Sequence, residues 1–244
     1  MTQARRAAAL IGVLYILGDV AGIASAALVP SFAPGTDILG QIASHRGATI
    51  VGALCILAMG FSLSALSAVF YPVGKRFNEA LATGYVIFRG ALEGMAYVLM
   101  AMLLLMQVAL AAEPAGNGQA AGTVATAYRV LFEQVLALPF VTGALMFYWL
   151  LFASRLVPRW ISVWGLATAP LYAGAAFARM AGLDLDWLMF PLALQEMVLA
   201  VWLIAKGFNP VALAQGATQA EATPSEAPRT ASRNPQVFHP APEA

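Results

Sequence analysis

The sequence has few charged residues. Its 13 Lys and Arg and 12 Asp and Glu make up 10% of the 244 residues, against roughly 25% in a soluble domain. Hydrophobic residues make up 61%, and the mean hydropathy is +0.77. This deficit excludes an ordinary water-facing surface. The net charge of +1, without a tract of Lys or Arg, also argues against nucleic acid as a partner.

The residue types that build metal, redox and catalytic sites are also scarce. The one cysteine, Cys55, lies in an apolar run and cannot form an intrachain disulfide. The two histidines, His45 and His239, are too distant to predict a zinc site. No H-E-x-x-H, P-loop, G-x-G-x-x-G or G-x-S-x-G motif occurs. The sequence therefore predicts no catalytic residue, no metal and no cofactor, and it does not indicate an enzyme.

Long apolar stretches dominate the rest of the chain. A helix needs roughly 20 apolar residues to cross a hydrocarbon core of about 30 Å. Six stretches are long enough, and their apolar residues are continuous rather than alternating, which is typical of helices. They cover residues 7–29, 48–71, 80–112, 124–153, 160–180 and 187–206. We therefore predict an all-α fold with a six-helix transmembrane bundle over residues 1–209.

The segment 210–244 differs in composition. It is rich in Ala, Pro, Thr, Ser and Glu and has no apolar period. Such a segment buries too little apolar surface to offset the entropy lost on ordering. We therefore predict a disordered C-terminal tail.

The charges that flank the spans predict an orientation. An even number of spans places both termini on one side. Two basic residues, Arg46 and Arg179, lie near span ends on the other side. Seven lie on the side of the termini: Arg5, Arg6, Lys75, Arg76, Arg155, Arg159 and Lys206. By the positive-inside rule, we expect an inner-membrane protein with both termini in the cytoplasm.

Six charged residues lie within or near the predicted spans, where a charge at mid-bilayer costs roughly 2.5–3.5 kcal/mol. That cost favours paired side chains that face the protein interior. Two of the acids lie near the middle of a span, and the other four residues lie in the two spans that are longer than a bilayer needs. We predict that the six form an intramembrane polar cluster of Asp19, Arg89, Glu93, Arg129, Glu133 and Glu196.

Two Arg–Glu pairs within this set are spaced i, i+4. Arg89 precedes Glu93, and Arg129 precedes Glu133. Residues at this spacing share one helix face. We therefore predict two ion pairs, each neutral overall.

The other two acids, Asp19 and Glu196, have no partner on their own helix. For Asp19, a hydrogen bond from Tyr15, a contact with Arg89 or a bound proton remain alternatives. For Glu196 the alternatives are a cationic side chain or a proton. Four acids face two arginines in the whole set. The two surplus carboxyls predict bound protons or a small cation, because an unpaired buried charge is costly.

Four stretches carry a family resemblance. They are Arg5-Arg6-Ala-Ala-Ala-Leu-Ile-Gly-Val-Leu-Tyr-Ile-Leu-Gly, Arg89-Gly-Ala-Leu-Glu93, Arg155-Leu-Val-Pro158-Arg159-Trp160-Ile-Ser162-Val-Trp164-Gly165, and Glu196 followed by Ala200-Val-Trp202-Leu-Ile-Ala-Lys206-Gly207-Phe208. Over residues 3–209 the chain resembles the multi-pass membrane proteins called domain of unknown function 4386. The resemblance implies this architecture and no assigned activity.

Three functions are compatible with the sequence. A scaffold or regulatory protein, favoured slightly by the tail and the missing motifs, predicts a closed bundle with every charge paired. A small proton- or cation-coupled transporter predicts a polar cavity that reaches an intramembrane acid. An intramembrane lipid-modifying enzyme is the least supported, because no motif indicates it. The lipid bilayer is the one partner that we predict in every case, and the sequence identifies no protein partner.

The orientation is testable with reporter fusions. We expect green fluorescent protein fused after Ala244 to fluoresce and alkaline phosphatase fused there to be inactive, because that enzyme needs disulfides formed outside the cytoplasm. Alkaline phosphatase fused after Gly116, in a predicted outer loop, is the control and should be active. The reverse pattern would contradict the predicted orientation.

Overall fold

A computed structural model describes residues 2–32, 36–113 and 116–222. The described chain is helical and has no strand. Its ten α-helices are α1 (Gln3–Leu28), α2 (Ile38–Ser44), α3 (Arg46–Gly74), α4 (Glu79–Tyr85), α5 (Glu93–Ala112), α6 (Gly118–Val130), α7 (Ala137–Ser154), α8 (Arg159–Met180), α9 (Phe190–Ala205) and α10 (Pro210–Ala222).

Six helical segments of the described chain are long and apolar enough to cross a membrane, as predicted. They are Gln3–Leu28, Arg46–Gly74, Glu79–Ala112, Gly118–Ser154, Arg159–Met180 and Asp186–Ala205. Many large apolar side chains face outward, among them Ile23 at 71% exposure and Phe61 at 63%. Such a surface suits contact with lipid chains. The predicted all-α, six-helix transmembrane bundle is confirmed.

Two of the spans are not regular α-helices. A π-helical segment, Val86–Leu92, joins α4 to α5, and another, Leu131–Val135, joins α6 to α7. A π-helical turn inserts an extra residue and is frequently found at functional positions. Arg89 lies in the first segment and Glu133 in the second. The apolar pattern alone does not indicate either segment.

Helix α1 packs along both α3 and α9. At the crossing with α9, a Cβ atom on Gly12 would lie 2.5 Å from the carbonyl oxygen of Ala200. Only glycine allows the two backbones to approach this closely. Small residues commonly allow such crossings between membrane helices.

An arginine ties the start of α1 to the end of α9. The guanidinium of Arg5 donates to the carbonyl oxygens of Leu203 (2.8 Å), Ile204 (2.5 Å) and Ala205 (3.1 Å). The last carbonyls of a helix have no partner within the helix and carry partial negative charge. The cation therefore caps α9 and fixes the first and sixth spans together at the end of the bundle that holds the chain's N-terminus.

The segment after residue 209 differs in part from its prediction. The sequence predicts disorder from residue 210, whereas residues 210–222 form helix α10. This helix packs on the bundle through Ala212, which is 2% exposed. It also packs through Gly216, where an added Cβ would lie 2.6 Å from the ring of Phe77. These contacts offset the weak apolar pattern, so the prediction is wrong for 210–222. Residues 223–244 lie outside the described chain.

The crossing of α1 and α9 gives a stability prediction. We expect Gly12→Ala to lower the free energy of unfolding by about 1–3 kcal/mol, because the added methyl group forces two backbones apart. Unfolding in mixed micelles would measure this. Gly174→Ala is a matched control, since no atom lies within 4 Å of its added Cβ. It should be neutral or stabilise by up to about 1 kcal/mol, and equal losses in both variants would contradict the proposed close packing.

Candidate functional site

The centre of the bundle holds an arginine between two acids. Nη1 of Arg89 lies 3.2 Å from Oε2 of Glu93, and its Nη2 lies 3.3 Å from Oε1 of Glu196. The three residues are 2%, 0% and 6% exposed. The predicted i, i+4 pair of Arg89 and Glu93 is therefore present. The partner of Glu196, which the sequence left open, is Arg89. We call these three residues the buried cluster.

Aromatic side chains surround the buried cluster. Tyr97 donates to Oε1 of Glu93 at 3.1 Å, and Tyr148 makes a longer contact of 3.5 Å with Oε1 of Glu196. The guanidinium carbon of Arg89 lies 4.7 Å from the ring centre of Phe140 and 5.7 Å from that of Tyr15. A cation is stabilised when it lies over the face of an aromatic ring. Tyr15 thus lies beside Arg89 rather than bonding to Asp19.

Sequence reasoning missed most of these aromatic residues. Tyr97 follows Glu93 by four residues, so the same helical spacing that indicated the Arg89–Glu93 pair could have found it. Tyr148 and Phe140 come from the fourth span, and their sequence neighbourhood gives no comparable signal.

Glycines let the helices close around the buried cluster. A Cβ on Gly143 of α7 would lie 3.1 Å from the backbone nitrogen of Arg89, and one on Gly165 of α8 would lie 2.6 Å from the ring of Tyr148. A larger residue at either position would displace a member of the cluster or its neighbour. The fit explains how three spans bring their polar groups to one point.

The buried cluster has one carboxylate more than it has cations. With both glutamates ionised its net charge is −1. One polar atom within it, Nε of Arg89, is buried without a hydrogen-bond partner in the described chain. A surplus charge in a dry interior is costly. The cluster is therefore suited to hold a proton or a small polar ligand.

A large cavity lies next to the buried cluster. It has a volume of about 1150 Å³, and its lining includes residues 29–32, which follow α1. It therefore reaches the end of the bundle away from the start of α1. Its lining also includes Tyr97, whose hydroxyl contacts Glu93. The polar residues of its wall are Asp19, Ser25, Ser31, Tyr97, Tyr128, Arg129, Glu133, Gln134 and Tyr172.

Three of the six predicted site residues line this cavity instead of joining the buried cluster. Asp19, Arg129 and Glu133 are each half-buried. Arg129 and Glu133 form no ion pair in the described chain, although their spacing predicts one, so that expectation is wrong. The reason is their place at an open wall, where water can solvate both charges and pairing gains little. Asp19 likewise has no ion pair among the described residues.

Four aromatic side chains pack together towards the other end of the bundle. The rings of Tyr85 and Phe147 stack with centres 4.6 Å apart, and Phe70 meets Phe147 edge-on at 4.8 Å. Phe208 lies 6.3 Å from Phe70. All four are nearly or fully buried. This aromatic layer separates the buried cluster from the end of the bundle where α1 begins.

The described chain contains no group of three or more His, Cys, Asp or Glu side chains placed to hold a metal ion. The buried cluster itself offers two carboxylates, and Arg89 occupies the space between them.

These features define a class: a multi-pass membrane protein of six helices with an acid–arginine cluster in its interior. The family can also be stated. The family model called domain of unknown function (DUF4386) matches residues 10–207, so the chain belongs to that family. The resemblance noted in the sequence is thereby confirmed. No curated protein and no solved structure matches the chain significantly.

The buried cluster gives a second stability prediction. We expect Arg89→Leu to lower the free energy of unfolding by about 3–5 kcal/mol, because it leaves two buried acids without their cation. Unfolding in mixed micelles would measure the loss. Adding Glu93→Gln and Glu196→Gln should restore part of it by removing the unpaired charges.

The matched control is Arg179→Leu. Arg179 pairs with Asp186 at the surface, where the two side chains are 22% and 52% exposed. Such a pair contributes about 0–1 kcal/mol. If the two arginine variants lost the same stability, the special role of the buried cluster in holding the fold would be rejected.

Proposed function

We propose that this protein is a small proton-coupled carrier of the inner membrane, with both termini in the cytoplasm and its cavity facing the other side. The observation that carries the proposal is the position of Tyr97. Tyr97 lines the cavity, and its hydroxyl donates to Glu93 of the buried cluster. A ligand in the cavity and a proton on the cluster would thus be separated by one side chain.

The charge balance of the buried cluster supports coupling. One guanidinium bonds two carboxylates, so a proton that binds to one acid weakens its contact with Arg89. Arg89 belongs to a π-helical segment of the third span, whereas Glu196 belongs to α9. Proton binding would therefore loosen the contact between two spans. A local charge change that biases two packings is a common basis for a switch.

The two ends of the bundle differ as alternating access requires. The cavity reaches one end of the bundle, and Phe70, Tyr85, Phe147 and Phe208 pack together towards the other. A carrier exposes its site to one side at a time. The observed arrangement fits a state that is open away from the termini.

The scaffold role, which the sequence favoured slightly, is less well supported. It predicts a closed bundle with every charge paired. The cavity and the unpaired Asp19 argue instead for the carrier.

Proton-linked opening can be tested by cysteine labelling. Cys55→Ala removes the native thiol, and Ala26→Cys places one in the cavity wall. We expect a membrane-impermeant maleimide to label this thiol from the cavity end. The rate of labelling at Ala26→Cys should be divided by the rate at a Thr123→Cys control in the exposed part of α6, and this ratio should change with pH. Taking the ratio cancels the pH dependence that comes from ionisation of the thiol itself.

Glu196→Gln in the same background should make the ratio insensitive to pH, because a glutamine binds no proton. A ratio that is constant with pH when Glu196 is present would overturn the proposal. So would a ratio that varies equally in both proteins, since the proton would then act elsewhere.

A further inference from the structure

We infer that the cavity binds a lipophilic organic cation, with the carboxylate of Asp19 as its counter-charge. As the substrate class of a carrier this rests on the proposed function, whereas the binding itself does not. The inference joins two independent observations: a cavity large enough for such a molecule and an unpaired acid deep in its wall.

The walls of the cavity are mostly apolar and adaptable. Three methionines, Met59, Met100 and Met197, line it together with the rings of Phe32 and Phe132. Methionine side chains are flexible and polarisable and are common at surfaces that accept varied apolar ligands. Aromatic rings also attract cations over their faces. About 1150 Å³ is slightly above the usual volume of a pocket for a small molecule.

The charges of the cavity favour a cation. Asp19 and Glu133 are its acidic residues and Arg129 is its one basic residue in the described chain. Asp19 lies in the middle of α1 and has no ion pair among the described residues. The nearby Arg89 already bonds both Glu93 and Glu196. A carboxylate held at this depth gains most from a cation that brings its own apolar surface.

A bare metal ion fits these walls less well. Metal ions need several oxygen, nitrogen or sulfur ligands at fixed short distances. The described chain places no three His, Cys, Asp or Glu side chains together. The lining of the cavity as a whole is mostly apolar, which suits a charge carried inside an organic molecule.

Binding can be tested with two probes of the same shape and opposite charge. Tetraphenylphosphonium and tetraphenylborate differ in the sign of their charge but hardly in size. We expect purified full-length protein to bind the phosphonium in equilibrium dialysis, after subtraction of protein-free micelles, and to bind the borate at least tenfold more weakly. Equal binding of both probes, or no binding of the phosphonium, would overturn the inference.

Three variants assign the binding to Asp19. Asp19→Asn should weaken phosphonium binding by about tenfold or more, since a buried opposite charge is lost, and Asp19→Glu should retain it. Asp184→Asn removes an exposed acid outside the cavity and should have no effect. If Asp19→Asn binds as well as the unmodified protein, Asp19 is not the counter-charge and the inference is wrong.

A fourth variant tests the cavity without changing any charge. Ala193 lines the cavity, so Ala193→Phe should fill part of it and reduce phosphonium binding several-fold while the protein remains folded. Unchanged binding would place the probe elsewhere and overturn the inference. These results are separable from the proposed function, because the pH-dependent labelling of the cavity is measured without any probe.

Discussion

The structure depends on the pairing of charged side chains that are buried at the centre of the bundle. Arg89 bonds Glu93 on its own span and Glu196 on the sixth. Each of the three would be costly alone in a dry interior, so the spans that carry them must meet. Glycines at the facing positions, such as Gly143 beside Arg89, allow that meeting. Chemistry and packing thus specify the same arrangement of helices.

The charged residues fall into two groups with different surroundings. The buried cluster is dry, tightly packed and ringed by tyrosines, whereas Asp19, Arg129 and Glu133 line an open cavity. Tyr97 lines the cavity and donates a hydrogen bond to Glu93 of the buried cluster. The aromatic layer lies towards the opposite end. From one end of the bundle to the other, the chain therefore has the cavity, the buried cluster and the aromatic layer. The two ends of the molecule thus differ.

Much of this arrangement follows from sequence, and the limits have physical reasons. Apolar length predicts the six spans, because the bilayer demands it. Helical spacing predicts the pair of Arg89 and Glu93, because both lie on one face of a buried helix. The same spacing fails for Arg129 and Glu133, because spacing does not report solvent access. The π-helical segments and the cavity arise from contacts between distant spans, which a local pattern does not encode.

The two acids that Arg89 binds enter the membrane at different stages of biosynthesis. Glu93 lies one turn after Arg89 on the same span, so the translocon can pass both to the bilayer as a neutral unit. Glu196 belongs to the last span and reaches the membrane after the other five. Its contact with Arg89 can form only after that span has been inserted. A chain truncated before α9 would therefore retain an arginine with one of its two carboxylate partners.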